Sequence, residues 1–280
     1  MRIAGHDIGV CTWSLRQRSL ADTLAAIKSL GLEHLQVALA PMLAHGEHRL
    51  REELAMLGGS GLSVTAGMIA FAGEDYTSIA TIRQTGGFVP DTPWDERRAL
   101  MLAGAELARR MNLTMVSTHA GFIPPSNHPH YQTLIARVRE IGTAMGDLGL
   151  RLLMETGQEQ APELLQFLND LALANVAVNF DPANMILYGA GDPIDAIATL
   201  GRHIAHVHLK DAVLSDQPGV RWGEEVPWGS GQVDPVHFLE ALDAAGYAGP
   251  LVIEREAGRD RPADVRAAIA ALESAAAQLG

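Results

Sequence analysis

Four residues in the second half of the chain offer chemistry together. They are Glu155 in Leu-Leu-Met-Glu-Thr-Gly, Asp181 in Val-Asn-Phe-Asp-Pro-Ala-Asn, His208 in Ala-His-Val-His-Leu-Lys-Asp and Glu254 in Leu-Val-Ile-Glu-Arg-Glu. Three carboxylates and one imidazole make a donor set for a single hard or borderline divalent cation. Mn2+ is the expected ion, Mg2+ and Co2+ suit the same donors, and Zn2+ is admissible although it usually takes more nitrogen or sulfur. Singly each residue says little, because a lone Glu at a strand end is more often a helix cap or salt-bridge partner. A lone His is more often a hydrogen-bonded structural residue.

The four gain weight from their equivalent places. Each ends a short apolar run that reads as a β-strand, and side chains alternate between the two faces of a strand. Leu153 and Glu155 then share one face while Leu152 and Met154 take the other. Val176, Val178 and Phe180 form an apolar outer face, which turns Asn179 and Asp181 inward. By the same rule His206, His208 and Lys210 face in, as do Val252 and Glu254. Several ionisable groups gathered in one water-poor mouth are costly unless they are paired or bind metal.

The elements that must position these groups alternate along the whole chain. Strands are expected at 8–14, 34–38, 62–70, 114–118, 151–155, 176–181, 204–209 and 251–254. Helices are expected at 20–30, 47–57, 95–110, 131–148, 162–171, 193–200, 235–245 and 262–278. Proline stands near the start of several helices, and Gly31, Gly61, Gly149 and Gly246 follow helices as C-terminal caps often do. Strand–helix alternation implies a parallel sheet, and eight units in 280 residues predict one α/β domain over 1–280, a single (β/α)8 TIM barrel. No Gly-x-Gly-x-x-Gly follows the first strand, which argues against a dinucleotide-binding open sheet. The long connections at 71–93, 120–130 and 210–234 fall at the C-terminal face, where barrel enzymes build their sites.

Further candidates surround the four ligands as substrate-contacting groups. Lys210 stands out because Lys28 is the only other lysine, the bland alternative being a Lys210–Asp211 salt bridge. His206 lies one layer deeper and is equally well read as structural. His119, ending the fourth strand in Ser-Thr-His-Ala-Gly-Phe, shares an inward face with Ser117 and suits substrate contact or proton relay. Gln158 and Glu159 follow Glu155 closely enough to bind hydroxyls, or else cap the next helix. Trp13, at the end of the first strand, is placed to wall a pocket or to pack in the core. Trp222, Trp228 and Gly229-Ser230-Gly231 belong to the longest loop, read as a lid that excludes water.

Composition narrows the partners. A net charge of −12 and the lack of any basic run argue against nucleic acid, whose backbone needs clustered Lys and Arg. No apolar stretch is long enough to span a bilayer, and the first residues carry no apolar signal-like run. The single Cys11 cannot pair within the chain, and it reads as a small buried hydrophobe in a cytoplasmic protein.

In order and spacing these motifs resemble the xylose isomerase-like barrel superfamily, most strongly between Glu155 and Glu256. The resemblance to ketose 3-epimerases of the D-tagatose 3-epimerase kind implies that Glu155, Asp181, His208 and Glu254 are the metal ligands. It also implies that Glu155 and Glu254 double as an acid/base pair on the two faces of a sugar-like substrate, working through an enediolate. Two features depart from those epimerases. Asn184 stands where they carry a substrate-contacting histidine, and their arginine after the seventh strand has no counterpart. The run His208-x-Lys210-Asp211 looks more like inosose dehydratase and its relatives. The expected activity is therefore metal-dependent sugar isomerisation or epimerisation. A dehydratase or 3-keto-glycoside β-eliminase is the alternative, and a non-catalytic sugar-binding barrel is the reading from another class. The endonuclease IV branch is set aside for want of its many histidines. Family resemblance implies a homodimer or homotetramer.

Overall fold

Residues 1–279 are described by a computed structural model. Eight parallel strands close on themselves: β2 (His6–Cys11), β3 (His34–Ala38), β4 (Ser63–Ile69), β5 (Met115–Thr118), β6 (Arg151–Glu155), β7 (Val176–Phe180), β8 (Ile204–Leu209) and β11 (Leu251–Ile253). Closure comes from β11 pairing with β2, and β2 with β3. A short β1 (Arg2–Ile3) adds an antiparallel turn onto β2. The expected (β/α)8 barrel is present.

The principal helices cover the outside: α1 (Leu20–Ser29), α3 (Glu47–Gly59), α5 (Trp94–Arg110), α6 (Pro129–Asp147), α7 (Ala161–Leu171), α9 (Pro193–Leu200), α10 (Pro235–Ala244) and α11 (Arg261–Leu279). Their starts are chemically marked. Ser19, Asp192 and Asp234 accept backbone N–H bonds at the first turns of α1, α9 and α10. Leu152, Met154, Val178, Val207 and Leu209 are fully or almost fully buried between sheet and helices. That burial explains why these strands read as nearly continuous apolar runs.

Three short helices and a hairpin were not foreseen: α2 (Leu39–Leu43), α4 (Ile79–Thr85), α8 (Pro182–Tyr188), and the antiparallel pair β9 (Asp211–Val213) with β10 (Glu224–Val226). All lie in the long connections or just past strand ends. The expected first strand also stops earlier. It ends at Cys11, and Trp13 sits on a 3-10 turn at Thr12–Leu15.

Two register shifts interrupt the barrel, one at Leu35/Gln36 in the β3–β4 pairing and one at Val178/Asn179 in the β7–β8 pairing. Such bulges re-aim side chains near sites. At the C-terminal mouth Gly157, with φ +149°, lets the loop after β6 press onto α8, where a Cβ would stand 2.6 Å from that of Asn184. Among the described residues no helix is long and apolar enough to cross a membrane.

Candidate metal centre

The four expected ligands come from four consecutive barrel strands. Glu155 ends β6, Asp181 directly follows β7, His208 lies on β8 and Glu254 directly follows β11. One ligand atom from each lies within 4.8 Å of all the others. His208 Nδ1 is the hub, 3.6 Å from Glu155 Oε1, 3.4 Å from Asp181 Oδ2 and 3.5 Å from Glu254 Oε2.

Asp181 supplies the clearest test of whether a cation fits. Its Oδ1 accepts the Asn184 N–H at 2.9 Å, capping α8, while Oδ2 is buried and makes no hydrogen bond. That oxygen has the Lys210 ammonium 3.7 Å away but no hydrogen bond, and it is aimed at two further carboxylates and an imidazole, a geometry a divalent cation satisfies. The residues fit such an ion, held through Asp181 Oδ2, His208 Nδ1 and one oxygen each of Glu155 and Glu254.

The surrounding charges are strongly coupled. Burial alone would raise the Glu254 carboxyl, but Lys210 and His208 beside it hold it well below the usual carboxylate range. Glu155 is also lowered, with His119 and His208 outweighing the effect of burial. At Asp181 burial wins over Lys210 and His208 and pushes the carboxyl up to about 6. Burial would lower Lys210 and His208, yet the adjacent carboxylates, Glu254 foremost, hold both well above their ordinary values.

The centre opens into a cavity of about 690 Å3 whose walls include Trp13, His119, Asn184 and Glu254. Trp13 Nε1 donates to Glu254 Oε1 at 2.7 Å. Asn184 Nδ2 donates to Glu155 Oε1 at 3.0 Å, and His119 Nε2 lies 3.7 Å from the same oxygen. Lys210 Nζ donates to Glu254 Oε2 at 2.8 Å, Glu256 Oε2 at 2.6 Å and Asn184 Oδ1 at 3.2 Å. Lys210 therefore pairs with carboxylates of the mouth and not with Asp211.

Other candidates sit elsewhere. His206 is fully buried beneath the centre, its Nδ1 donating to Asn179 Oδ1 at 2.8 Å, so contact with substrate from this depth is corrected to a structural bond. Burial holds that imidazole well below its ordinary value, followed by the nearby His208. Glu159 is buried in the loop before α7 and lines no part of the cavity. Gln158 reaches only Tyr188, whose hydroxyl is 3.4 Å from Nε2.

The expected lid divides in two. Trp222 lines the cavity and packs edge-on to Tyr188, with ring centroids 4.6 Å apart, and it stacks on Tyr76. Trp228 instead packs into the barrel wall against Phe238. Asp211 fixes the segment that follows it, accepting the N–H groups of Ala212, Gly229, Gly231 and Val233. Glu225 on β10 ties the hairpin to the β11 end through Arg255 and the N–H groups of Glu256 and Ala257.

Sequence reasoning missed Gln36, Tyr76, Tyr188 and Glu256. Gln36 sits inside a strand with no motif around it, Tyr76 lies in the long connection after β4, Tyr188 ends the unforeseen α8, and Glu256 closes the quoted Leu-Val-Ile-Glu-Arg-Glu run but was given no role. Asn179 and Ser117 had been placed on inward faces but given no role.

A closed parallel barrel with a one-metal donor cluster at its C-terminal mouth defines the class. The family model of the xylose isomerase-like TIM barrel matches residues 24–275, and the chain belongs to that family. The crystal structure of a xylose isomerase domain protein from Planctomyces limnophilus is similar over 98% of both chains, with 34% identity and a TM-score of 0.88. Among curated proteins, inosose dehydratase from Geobacillus thermodenitrificans is 26% identical over 151 residues, 48% of this chain and 49% of that protein. The chain thus spans about half the length of that curated relative. A D-psicose 3-epimerase from Clostridium cellulolyticum H10, solved with D-tagatose, shares the fold at TM-score 0.72 and 16% identity, covering 96% of this chain and 99% of that one.

Proposed function

We propose that this chain is a divalent-metal-dependent sugar isomerase or epimerase that moves a proton beside the carbonyl of a small, uncharged ketose or keto-sugar. The observation that carries the reading is the placement of Glu155 and Glu254. They stand at the two ends of the β6–β7–β8–β11 arc, with Asp181 and His208 between them. Two carboxylates so placed flank a substrate and act as an acid/base pair.

The bound cation, for which Mn2+ is the leading choice, would polarise the carbonyl and offset the negative charge that develops on proton removal. Glu254, kept ionised by Lys210 and fixed by Trp13, is suited to accept the proton. Glu155, beside His119, is suited to return one from the other side. Trp222, Tyr188 and Tyr76 close the outer wall and limit water at the reacting carbon. The charged residues lining the cavity are Glu74, Glu254 and Glu256, with no Arg or Lys among them. A phosphorylated substrate would find no guanidinium or free ammonium there, which favours an unphosphorylated one.

Dehydration is the second reading, supported by the Lys210 ammonium at the Glu254 carboxylate and by the curated dehydratase relative. β-Elimination needs an acid for the departing hydroxyl, and His119 and Glu256, which both line the cavity, offer one.

Incubating Mn2+-loaded protein with ketoses, inososes and 3-keto-sugars in deuterated water tests both. Deuterium gained next to the carbonyl without loss of water supports isomerase or epimerase chemistry, and loss of water supports the dehydratase. Neither outcome with any substrate, from protein that holds its metal, argues for a binding barrel.

A further inference from the structure

His208 can serve the centre only if its ring is held in one tautomer and one orientation. Nδ1 faces the three carboxylates, so the proton of a neutral, ligating imidazole must reside on Nε2. On that side lies Gln36 Oε1, at 2.6 Å. Gln36 belongs to β3, three strands away from β8 around the barrel, and reaches across the interior to make this contact.

The amide is itself oriented. Its Nε2 donates to Ser117 Oγ on β5 at 2.8 Å, and Ser117 in turn donates to Gly67 O at 3.3 Å. A hydroxyl that spends its proton on a carbonyl presents a lone pair to the amide, so the N–H end of Gln36 turns to Ser117 and the oxygen to His208. The fully buried Cys11 thiol points at the same oxygen from 3.5 Å. Gln36, Ser117 and Asn179 come from alternate strands and are all fully buried, as an interior barrel layer requires. The register shift beside Gln36 lies in the facing strand, where Thr65 of β4 is the extra residue between the partners of Leu35 and Gln36.

We infer that Gln36 is a positioning residue of the metal centre: through the Ser117–Gln36–His208 chain it fixes the Nε2–H tautomer and leaves His208 Nδ1 free to ligate. The inference rests on the metal-centre reading above. Partners of this kind commonly change metal affinity by about 10–100-fold when removed. Gln36 touches neither cavity nor substrate, so its effect must appear in metal affinity before it appears in turnover.

The test is Mn2+ binding by calorimetry on wild type, Gln36→Met, Ser117→Ala and Thr65→Val, with the melting temperature of each metal-free protein and the visible spectrum of its Co2+ form. Part-buried Thr65 bonds His206 at 3.0 Å and touches the centre only through His206 and Asn179, so Thr65→Val disturbs a neighbouring polar chain while leaving Ser117–Gln36–His208 intact. The expected result is affinity weakened about 10–100-fold in Gln36→Met and about 3–10-fold in Ser117→Ala, with Thr65→Val within about twofold of wild type. The Co2+ spectrum should shift in Gln36→Met and stay unchanged in Thr65→Val. Unaltered affinity in a folded Gln36→Met, or equal losses in Gln36→Met and Thr65→Val, overturns the inference. If Gln36→Met does not fold, unaltered affinity in Ser117→Ala overturns it. Wild-type protein that binds no Mn2+ would overturn the metal-centre reading itself.

Discussion

The Lys210 ammonium and the Glu254 carboxylate meet at 2.8 Å inside the barrel mouth, each almost wholly buried. A buried ion pair is a weak source of net stability, yet removing one partner is expensive because the other is stranded. Lys210→Met is expected to lower the stability of the metal-free protein by about 3–5 kcal/mol. Glu256→Gln removes a second Lys210 partner whose side chain is 55% exposed, and it should cost no more than about 1 kcal/mol after solvent screening. Urea unfolding of both variants checks the ordering. Equal losses would mean that Glu256 and not Glu254 holds the lysine.

Glu159 predicts a pH dependence of stability. Burial, followed by repulsion from Glu163, pushes its carboxyl from the ordinary 4.5 up to about 8. Below pH 4.5 folded and unfolded chains both keep this proton, and no cost arises. Between 4.5 and 8 the unfolded chain releases the proton while the folded chain retains it, so this group lowers stability as pH rises. Above about 8 the cost is complete. Glu159→Gln should match wild type near pH 4.5 and exceed it by a few kcal/mol near pH 8. Urea midpoints for the pair across that range test the sign, and a gap that shrinks with rising pH would refute it.

Gly231 predicts a property of the lid. A Cβ there would stand 2.3 Å from Asp211 Oδ1 and 2.6 Å from the Ala212 carbonyl oxygen. Gly231→Ala must push the loop off its Asp211 anchor, with an expected cost of about 1–3 kcal/mol. Limited proteolysis should then cut within 214–223 faster than in wild type. Unchanged cleavage would show that Glu225 alone suffices to hold the hairpin.

These residues also mark where sequence was informative. Glu155, Asp181, His208 and Glu254 could be grouped before any coordinates because strand alternation and strand-end position are local rules, and a parallel barrel turns equivalent local positions into spatial neighbours. Lys210 was visible through its rarity, but its partner was not. The adjacent Asp211 is the natural local choice, whereas the fold gives Lys210 to Glu254 and gives Asp211 to four backbone N–H groups. Helix α8 escaped notice because its N-cap is Asp181 itself, whose second role hid the first. Gln36 was illegible in principle. Its meaning comes from β5 and β8 across the barrel, and nothing within β3 announces either.

Asp181 also supplies the most direct test of the central claim, that these four residues hold one divalent cation. Asparagine caps a helix as well as aspartate does, so Asp181→Asn keeps the α8 cap while removing the carboxylate charge from the cluster. Metal content should be measured by mass spectrometry after Mn2+ loading and exhaustive dialysis, alongside the melting temperature of the metal-free protein. The account predicts about one ion per wild-type chain, far less than one in Asp181→Asn, and metal-free melting temperatures within a few degrees of each other. Wild-type protein without a stoichiometric ion, or an Asp181→Asn protein that retains it, would contradict the account.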